Sequence, residues 1–426
     1  MPQLLSVAEA RARILEHFQP LGPESVPLAE SAGRVLAADL AAPHDLPPFS
    51  NSSMDGYAVR LAETAAAAPG QPVRLRVSAD IPAGSGQPQP LALGTAARIM
   101  TGAPVPAGAD AVVPVEETDD SRERAGEPAP AEVSIRVAPR PGANIRPAGQ
   151  DMRAGQVVLE TGTVLSPAAV GVLAGIGASQ VPVFMRPLVA VFSTGDELRR
   201  VEESLGAGQI RDSNSYTLAA AIAHYGARAL RLEIARDRED EVRARLSEAH
   251  QSGAQVIVSS AGVSVGAYDV VKAAVEAEGE LGFWRVRMRP GKPLAFGHVR
   301  GVPFFGLPGN PVSAMVGFEV FVRPAILKMA GRRRWDKLEI TAELEEPMES
   351  DGRESYLRVV VQRRGADYVA RPSGNQGSAV MSALVRANGL LVLPEGVTQA
   401  RVGDRFSVWL MDGAESSLTT AEEGLK

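Results

Sequence analysis

Three carboxylate-bearing strings carry the first chemical signal in this sequence. Thr194-Gly195-Asp196-Glu197, Arg236-Asp237 and the run from Ser260 to Asp269 each follow directly on a short apolar stretch. Two carboxylates about 4 Å apart repel by about 4 kcal/mol at an effective dielectric near 20. Such a cluster calls for a cation or a raised pKa. With no zinc-type ligand set in the chain, Mg²⁺ held by oxygens is the natural partner. The second signal has the opposite sign. Trp284-Arg285-Val286-Arg287-Met288-Arg289 alternates strictly, so in one strand Arg285, Arg287 and Arg289 share a face. Lys292 follows in the turn Pro290-Gly291-Lys292-Pro293. This reads as an anion site, with a solvated sheet edge as the plainer alternative. The third signal is Gly262-Val263-Ser264-Val265-Gly266. It matches the G-x-S-x-G nucleophile elbow of hydrolases. Only His298 follows it, however, and no HGGG-type oxyanion string is present. A Gly/Ser loop whose backbone N–H groups cradle phosphate at a helix N-terminus fits better.

The elements that must position these groups are written in the hydrophobic pattern. Strand Leu188–Phe192 precedes the first carboxylate string, strand Ala229–Ile234 precedes Arg236-Asp237, and strand Gln255–Val258 precedes Ser259 to Gly266. Helical patterns cover 214–225, 239–251, the stretch after Asp269, and 312–329. Alternating strands and helices imply a parallel sheet with helices on both faces. In such sheets ligands bind beyond the carboxyl ends of the strands, where all three strings fall. Pro311 suits the first position of the helix closing this unit, and its first turn, with Ser313, offers free N–H groups.

The flanks read differently. Ser6 and Glu9 form a capping box that opens an N-terminal helix. Short β-rich runs at Val73–Val77, Ala97–Met100, Ala111–Val115 and Val133–Val137 suggest a small β domain, with Asp119–Glu132 as its exposed loop. Beyond Gly331-Arg332-Arg333-Arg334, runs at Leu338–Leu344, Tyr356–Val361, Leu390–Leu393 and Phe406–Leu410 form a second β-rich domain. Residues 413–426 read as a disordered tail.

Composition bounds the function. The 426 residues allow roughly three domains, perhaps four small ones. A net charge of −6 gives no bulk attraction to nucleic acid or anionic membrane. The absence of cysteine excludes disulfides, thiolate catalysis and protein-ligated iron–sulfur clusters. Five scattered histidines offer no His-x-x-x-His spacing. No apolar run reaches 18 residues and no signal peptide opens the chain, so a cytoplasmic location is expected.

Taken in order, the strings SNSSMDGYAV, RIMTGAPVPAGADAVVPVEE, GANIRPAGQD, STGDEL, IRDSN, SSAGVSVGAYD, RMRPGKPLAFG, FGLPGNPVSA and RPSGNQGSA closely resemble the molybdopterin molybdenumtransferase family. That family is called MoeA in bacteria and the E domain of gephyrin in animals. The resemblance implies a multidomain α/β plus β fold. An elongated linker domain takes residues 1–50 and 143–183, and an inserted β domain takes 51–142. An α/β molybdopterin-binding domain at 184–330 is similar to molybdopterin adenylyltransferase. A C-terminal β-rich domain takes 331–412. The implied reaction converts adenylylated molybdopterin and molybdate to molybdenum cofactor and AMP, with Mg²⁺. The dithiolene sulfurs belong to the substrate, so the protein needs no cysteine.

By motif match the resemblance marks Asp55, Thr101, Asp151, Glu197, Asp237, Asp269 and Lys292 as catalytic. Ser260, Gly262, Ser264, Gly266, Arg285, Arg289, Lys292, Pro293, Ser313, Arg353 and Ser378 are marked as substrate-binding, and Glu197, Asp237 and Asp269 as metal ligands. It further implies a homodimer with shared active sites and molybdopterin adenylyltransferase as a candidate partner. A scaffold of the same fold and a tungsten-specific paralogue are the alternatives. Two departures stand out. Ala261 replaces a glycine of SSGGVSVG, so either that position has ordinary φ or the loop is altered. Arg285 and Arg289 stand where some members carry Lys, which exchanges a point charge for a planar fork.

Overall fold

The computed structural model describes residues 4–120, 127–261 and 268–411. Gly262, Ser264, Gly266 and the expected tail therefore lie outside the described residues, as does part of the Asp119–Glu132 loop. No helix among the described residues is long and apolar enough to cross a membrane.

A seven-stranded sheet forms the centre. Its order is Leu4–Leu5, Gly279–Val286, Pro293–Val299, Val302–Leu307, Val256–Ser260, Leu188–Ser193, Arg228–Arg231. The last four strands are parallel. Val256–Ser260 is buried at every residue, as a strand covered on both faces must be. Alternate side chains feed two cores. Val189 and Val191 meet Leu218 and Ile222 of helix Asn214–His224 on one face. On the other, Ala190 and Phe192 meet Val242 and Leu246 of helix Glu239–Gln251. The carboxyl ends of these strands therefore project as one rigid row.

The other half of the sheet is antiparallel, through Gly279–Val286, Pro293–Val299 and Val302–Leu307. Arg300 (φ 49°) and Gly301 (φ 81°) make the two-residue turn joining the last two. Positive φ at both central positions matches strand twist. The helix expected over 312–329 is helical throughout but not uniform. A π-helical segment, Phe318–Val322, separates Pro311–Gly317 from Arg323–Met329. Pro324 has no N–H to offer a carbonyl one turn back, which loosens the turn at that point.

The C-terminal strands Glu354–Arg364, Asp367–Pro372, Glu339–Leu344, Arg405–Leu410 and Gly389–Leu393 pair in that order. The last returns to the first, closing a small barrel. Leu357, Val359, Val361, Leu391 and Val408 fill it. A short strand, Met288–Arg289, joins this sheet beside Glu354–Ser355. This corrects the reading of the alternating arginines as one strand. The chain leaves the central sheet after Val286 and enters the barrel sheet at Met288, so Arg285 and Arg289 belong to different sheets.

At the other end, Pro23–Pro27 pairs with Gln180–Phe184, Leu40–Ala41 with Val157–Leu159, and Asn51–Ser52 with Ile145–Arg146. Between these two passes lies a five-stranded sheet ordered Ala111–Pro114, Gly56–Val59, Thr95–Ile99, Val73–Ile81, Glu132–Ile135. The capping box forms as expected. Ser6 Oγ accepts from Glu9 N–H at 3.2 Å, and Glu9 Oε2 accepts from Ser6 N–H at 2.8 Å.

Candidate active site

Between the parallel strand ends and the outer wall of the barrel lies a cleft of about 890 Å³. The strand-end wall is acidic. Glu197 and Asp237 both line it, Glu197 beyond the buried strand Leu188–Ser193 and Asp237 two residues past Ala235, which bridges to Thr194 beside that strand end. Asp237 N–H points at Asp196 Oδ1 at 3.4 Å. Burial, first, and then the negative charges of Asp196 and Glu197 raise the Asp237 carboxyl above its ordinary range. Among the described residues no group of three His, Asp or Glu side chains is spaced to hold a metal. The expected third ligand, Asp269, sits in helix Tyr268–Glu276 with its side chain outside the described residues.

The facing wall is basic. Arg289, Arg353 and Ser378 line the cleft from the barrel side, and Lys292, Pro293 and Ser313 complete this wall from the central-sheet unit. The two walls are stitched together at one rim, where Val312 N–H donates to Ser378 O at 3.0 Å and Asn310 Nδ2 donates to Ser378 Oγ at 3.1 Å. Arg353 is already engaged. Its Nε reaches both Asp351 oxygens at 3.1 and 3.0 Å, its Nη2 also bonds Asp351, and its Nη1 donates to Met288 O at 2.8 Å. Bonding to Arg353 in turn holds the Asp351 carboxyl below its usual range.

One residue absent from the sequence reading is more exceptional. Arg358 lines the cleft and is fully buried. Its Nη2 donates to Asn375 O at 3.0 Å and Gly377 O at 3.1 Å, while buried Nε and Nη1 have no hydrogen-bond partner among the described residues. Burial and then the charge of Arg289 push the guanidinium down to about 10. A buried guanidinium with free donors is costly unless an anion completes it. The available signal was a lone Arg inside Tyr356-Leu357-Arg358-Val359-Val360-Val361, an otherwise apolar run.

The floor joins the walls. Ser260, at the end of its strand, lies there with Asp212 and Asn214 of the Ile210–Asn214 string. Other predicted residues are not collected by this cleft. Arg285 is exposed and pairs across from Leu4 and Pro293. Asp55 and Thr101 find each other instead, with Asp55 Oδ1 accepting from Thr101 N–H and Oγ1–H, both at 2.7 Å. Asp151 lies exposed, its N–H bonded to Leu46 O at 3.0 Å.

Comparison with known proteins covers nearly the whole chain. Residues 5–177 match the MoeA N-terminal region (domains I and II), 190–328 a probable molybdopterin-binding domain, and 341–411 the MoeA C-terminal region (domain IV). The molybdopterin molybdenumtransferase 2 of Mycobacterium tuberculosis is 40% identical, over 95% of this chain and 99% of that protein. The molybdopterin molybdenumtransferase of Haemophilus influenzae is 35% identical, over 95% and 98%. Two structures of the molybdopterin biosynthesis MoeA protein from Pyrococcus horikoshii superpose with TM-scores of 0.82 and 0.80. Their identities are 32% and 29%, and each covers 96% of this chain and 100% of that chain.

Proposed function

Because the chain belongs to the MoeA family, we propose that its cleft inserts molybdenum from molybdate into adenylylated molybdopterin, forming molybdenum cofactor and releasing AMP. The observation that carries this reading is one cleft with an acidic wall, Glu197 and Asp237, facing a basic wall of Arg289, Lys292 and Arg358. The substrate has the matching polarity. Its pyrophosphate is polyanionic, and molybdate is a dianion.

The residues divide the work. Lys292, Ser313, Ser378 and the free donors of Arg358 hold the tetrahedral oxyanion. Charge-assisted bonds of this kind contribute roughly 1.5–3 kcal/mol each. Arg289, which lines the cleft, would neutralise the phosphates. Glu197, Asp237 and Asp269 would hold Mg²⁺, and the Asp237 carboxyl, raised first by burial and then by the negative charges of Asp196 and Glu197, fits that role. When bound, the ion screens carboxylates from phosphates. The dithiolene sulfurs of the substrate supply the molybdenum–sulfur bonds, and a chain without cysteine offers no competing thiolate.

The working unit is a homodimer in which Asp55, Thr101 and Asp151 serve the partner's cleft. Molybdopterin adenylyltransferase is the natural source of the adenylylated substrate, and the reaction runs in the cytoplasm. The test is incubation of purified protein with adenylylated molybdopterin, molybdate and Mg²⁺, with AMP measured. Release of AMP together with molybdenum cofactor is expected; no AMP would favour a scaffold. A second arm mixes inactive Asp55→Ala and Asp269→Ala proteins. Partial recovery of activity is expected from shared sites, and none, with subunit exchange verified, would overturn the sharing.

A further inference from the structure

Asn214 makes two hydrogen bonds that span the cleft floor. Its Nδ2 donates to Ser260 Oγ and to Gly309 O, both at 2.7 Å. Ser260 closes strand Val256–Ser260, and Gly309 lies just beyond strand Val302–Leu307, its neighbour in the sheet. Both hydrogens of one amide nitrogen therefore tie together the ends of two adjacent parallel strands. Asn214 is itself held from below. Asp212, only 2% exposed, accepts from Ser193 Oγ at 2.8 Å, from Ser215 N–H at 3.1 Å and from Ser215 Oγ at 2.5 Å. That anchors the first turn of helix Asn214–His224 to the end of a third strand, Leu188–Ser193.

The residue between the two tied points is Ala261, with φ +73°. This rules out the ordinary φ that was one of the two expectations for that position. The backbone keeps the left-handed turn that glycine would allow, although a Cβ disfavours it. The turn is also crowded, since a Cβ on Gly309 would stand 3.1 Å from that of Ala261. A strained conformation persists only where its surroundings over-determine it. Here those surroundings are Ala261 N–H to Leu307 O at 3.0 Å, Thr194 N–H to Ser260 O at 3.0 Å, and the double bond of Asn214.

We infer that Asn214 is a positioning residue for this cleft: its amide clamps Ser260 to Gly309 and so holds Ala261 in the left-handed turn that sets the floor. The activity arm of this inference rests on the transferase reading; the exchange arm does not. Asn214→Ala should speed hydrogen exchange of the peptide carrying the Ala261 amide at least tenfold and lower AMP release at least tenfold. Adding Ala261→Gly should recover at least threefold in both readouts, because glycine takes the turn without the clamp. Asn214→Ser, which keeps one donor, should fall between and serves if the alanine variant does not fold. Unchanged exchange in Asn214→Ala, or no recovery in the double variant, would overturn the role and make Asn214 a substrate contact or a structural residue. A wild-type protein releasing no AMP would bring down the transferase reading alone, and exchange would then decide this one.

Discussion

The strand-end wall and the barrel wall of the cleft carry opposite charges and are built by opposite means. On the first, Glu197 and Asp237 stand in the turns that follow neighbouring parallel strands, so the order of strand and carboxylate in the sequence suffices to place them. The charges that act on Asp237 are those of Asp196 and Glu197, both negative. On the second, Arg358 stands inside a barrel strand and lines the cleft with its Nη2 donating to the carbonyls of Asn375 and Gly377. Among the described residues no carboxylate pairs with its guanidinium, which feels the charge of Arg289. Each wall is thus electrostatically frustrated by itself, in opposite senses. A cation on one and an oxyanion on the other relieve both, and the two reliefs should be separable.

The largest effect is expected at Arg358. Arg358→Met keeps the length and apolar stem while removing the charge, so the barrel should fold. Losing two charge-assisted bonds to the oxyanion at roughly 1.5–3 kcal/mol each corresponds to at least about a hundredfold in turnover at limiting molybdate. Circular dichroism would verify folding and AMP release would give the rate. A loss under about tenfold would show that the free donors do not face the anion.

Asp237 tests the other wall without needing turnover. A carboxyl whose folded pKa is raised contributes stability below its unfolded pKa and loses it as pH rises through the folded value. Above the folded value that loss is complete, and a bound cation should restore it. Mg²⁺ at a hundredfold excess over Kd should stabilise the protein by about 2.7 kcal/mol, with the gain fading as acid protonates the site. In Asp237→Asn the melting temperature without Mg²⁺ should rise, the response to Mg²⁺ should shrink, and turnover should fall more than about tenfold. An undiminished Mg²⁺ response in that variant would move the ion elsewhere.

The two walls also differ in how far the sequence reveals them. Strand–turn–carboxylate order is local, so Glu197, Asp237 and Ser260 could be placed from the hydrophobic pattern and the strand-end rule. The capping box at Ser6 and the Pro311 helix start were equally local. The alternation of Arg285, Arg287 and Arg289 misled because periodicity reports a face and not a sheet, and the chain changes sheets between Val286 and Met288. Arg358 was hidden because its burial depends on barrel closure and on a loop some twenty residues away in sequence. The left-handed turn at Ala261 was hidden because the clamp that holds it comes from Asn214, in another element.

The smallest effect, and the finest test of the comparison, is at Arg353. The family resemblance marks this residue as substrate-binding, and it does line the cleft. Yet every nitrogen of its guanidinium is used: Nε and Nη2 on Asp351, Nη1 on Met288 O. Its charge is met by a carboxylate, whereas that of Arg358 is not. For molybdate to recruit Arg353, the Asp351 pair would have to open, and one bond gained would cost one lost. The pair is also part-exposed, where such bridges contribute about 0–1 kcal/mol. Arg353→Ala should therefore change the molybdate requirement by no more than about threefold, against about a hundredfold for Arg358→Met. Because Arg353 also ties the barrel to the Met288–Arg289 strand, a modest drop in melting temperature is expected beside that small kinetic change. Titrating molybdate against AMP release in both variants decides the matter. If Arg353→Ala raises the molybdate requirement as much as Arg358→Met does, the Asp351 pair opens on binding, and the anion pocket extends to Arg353.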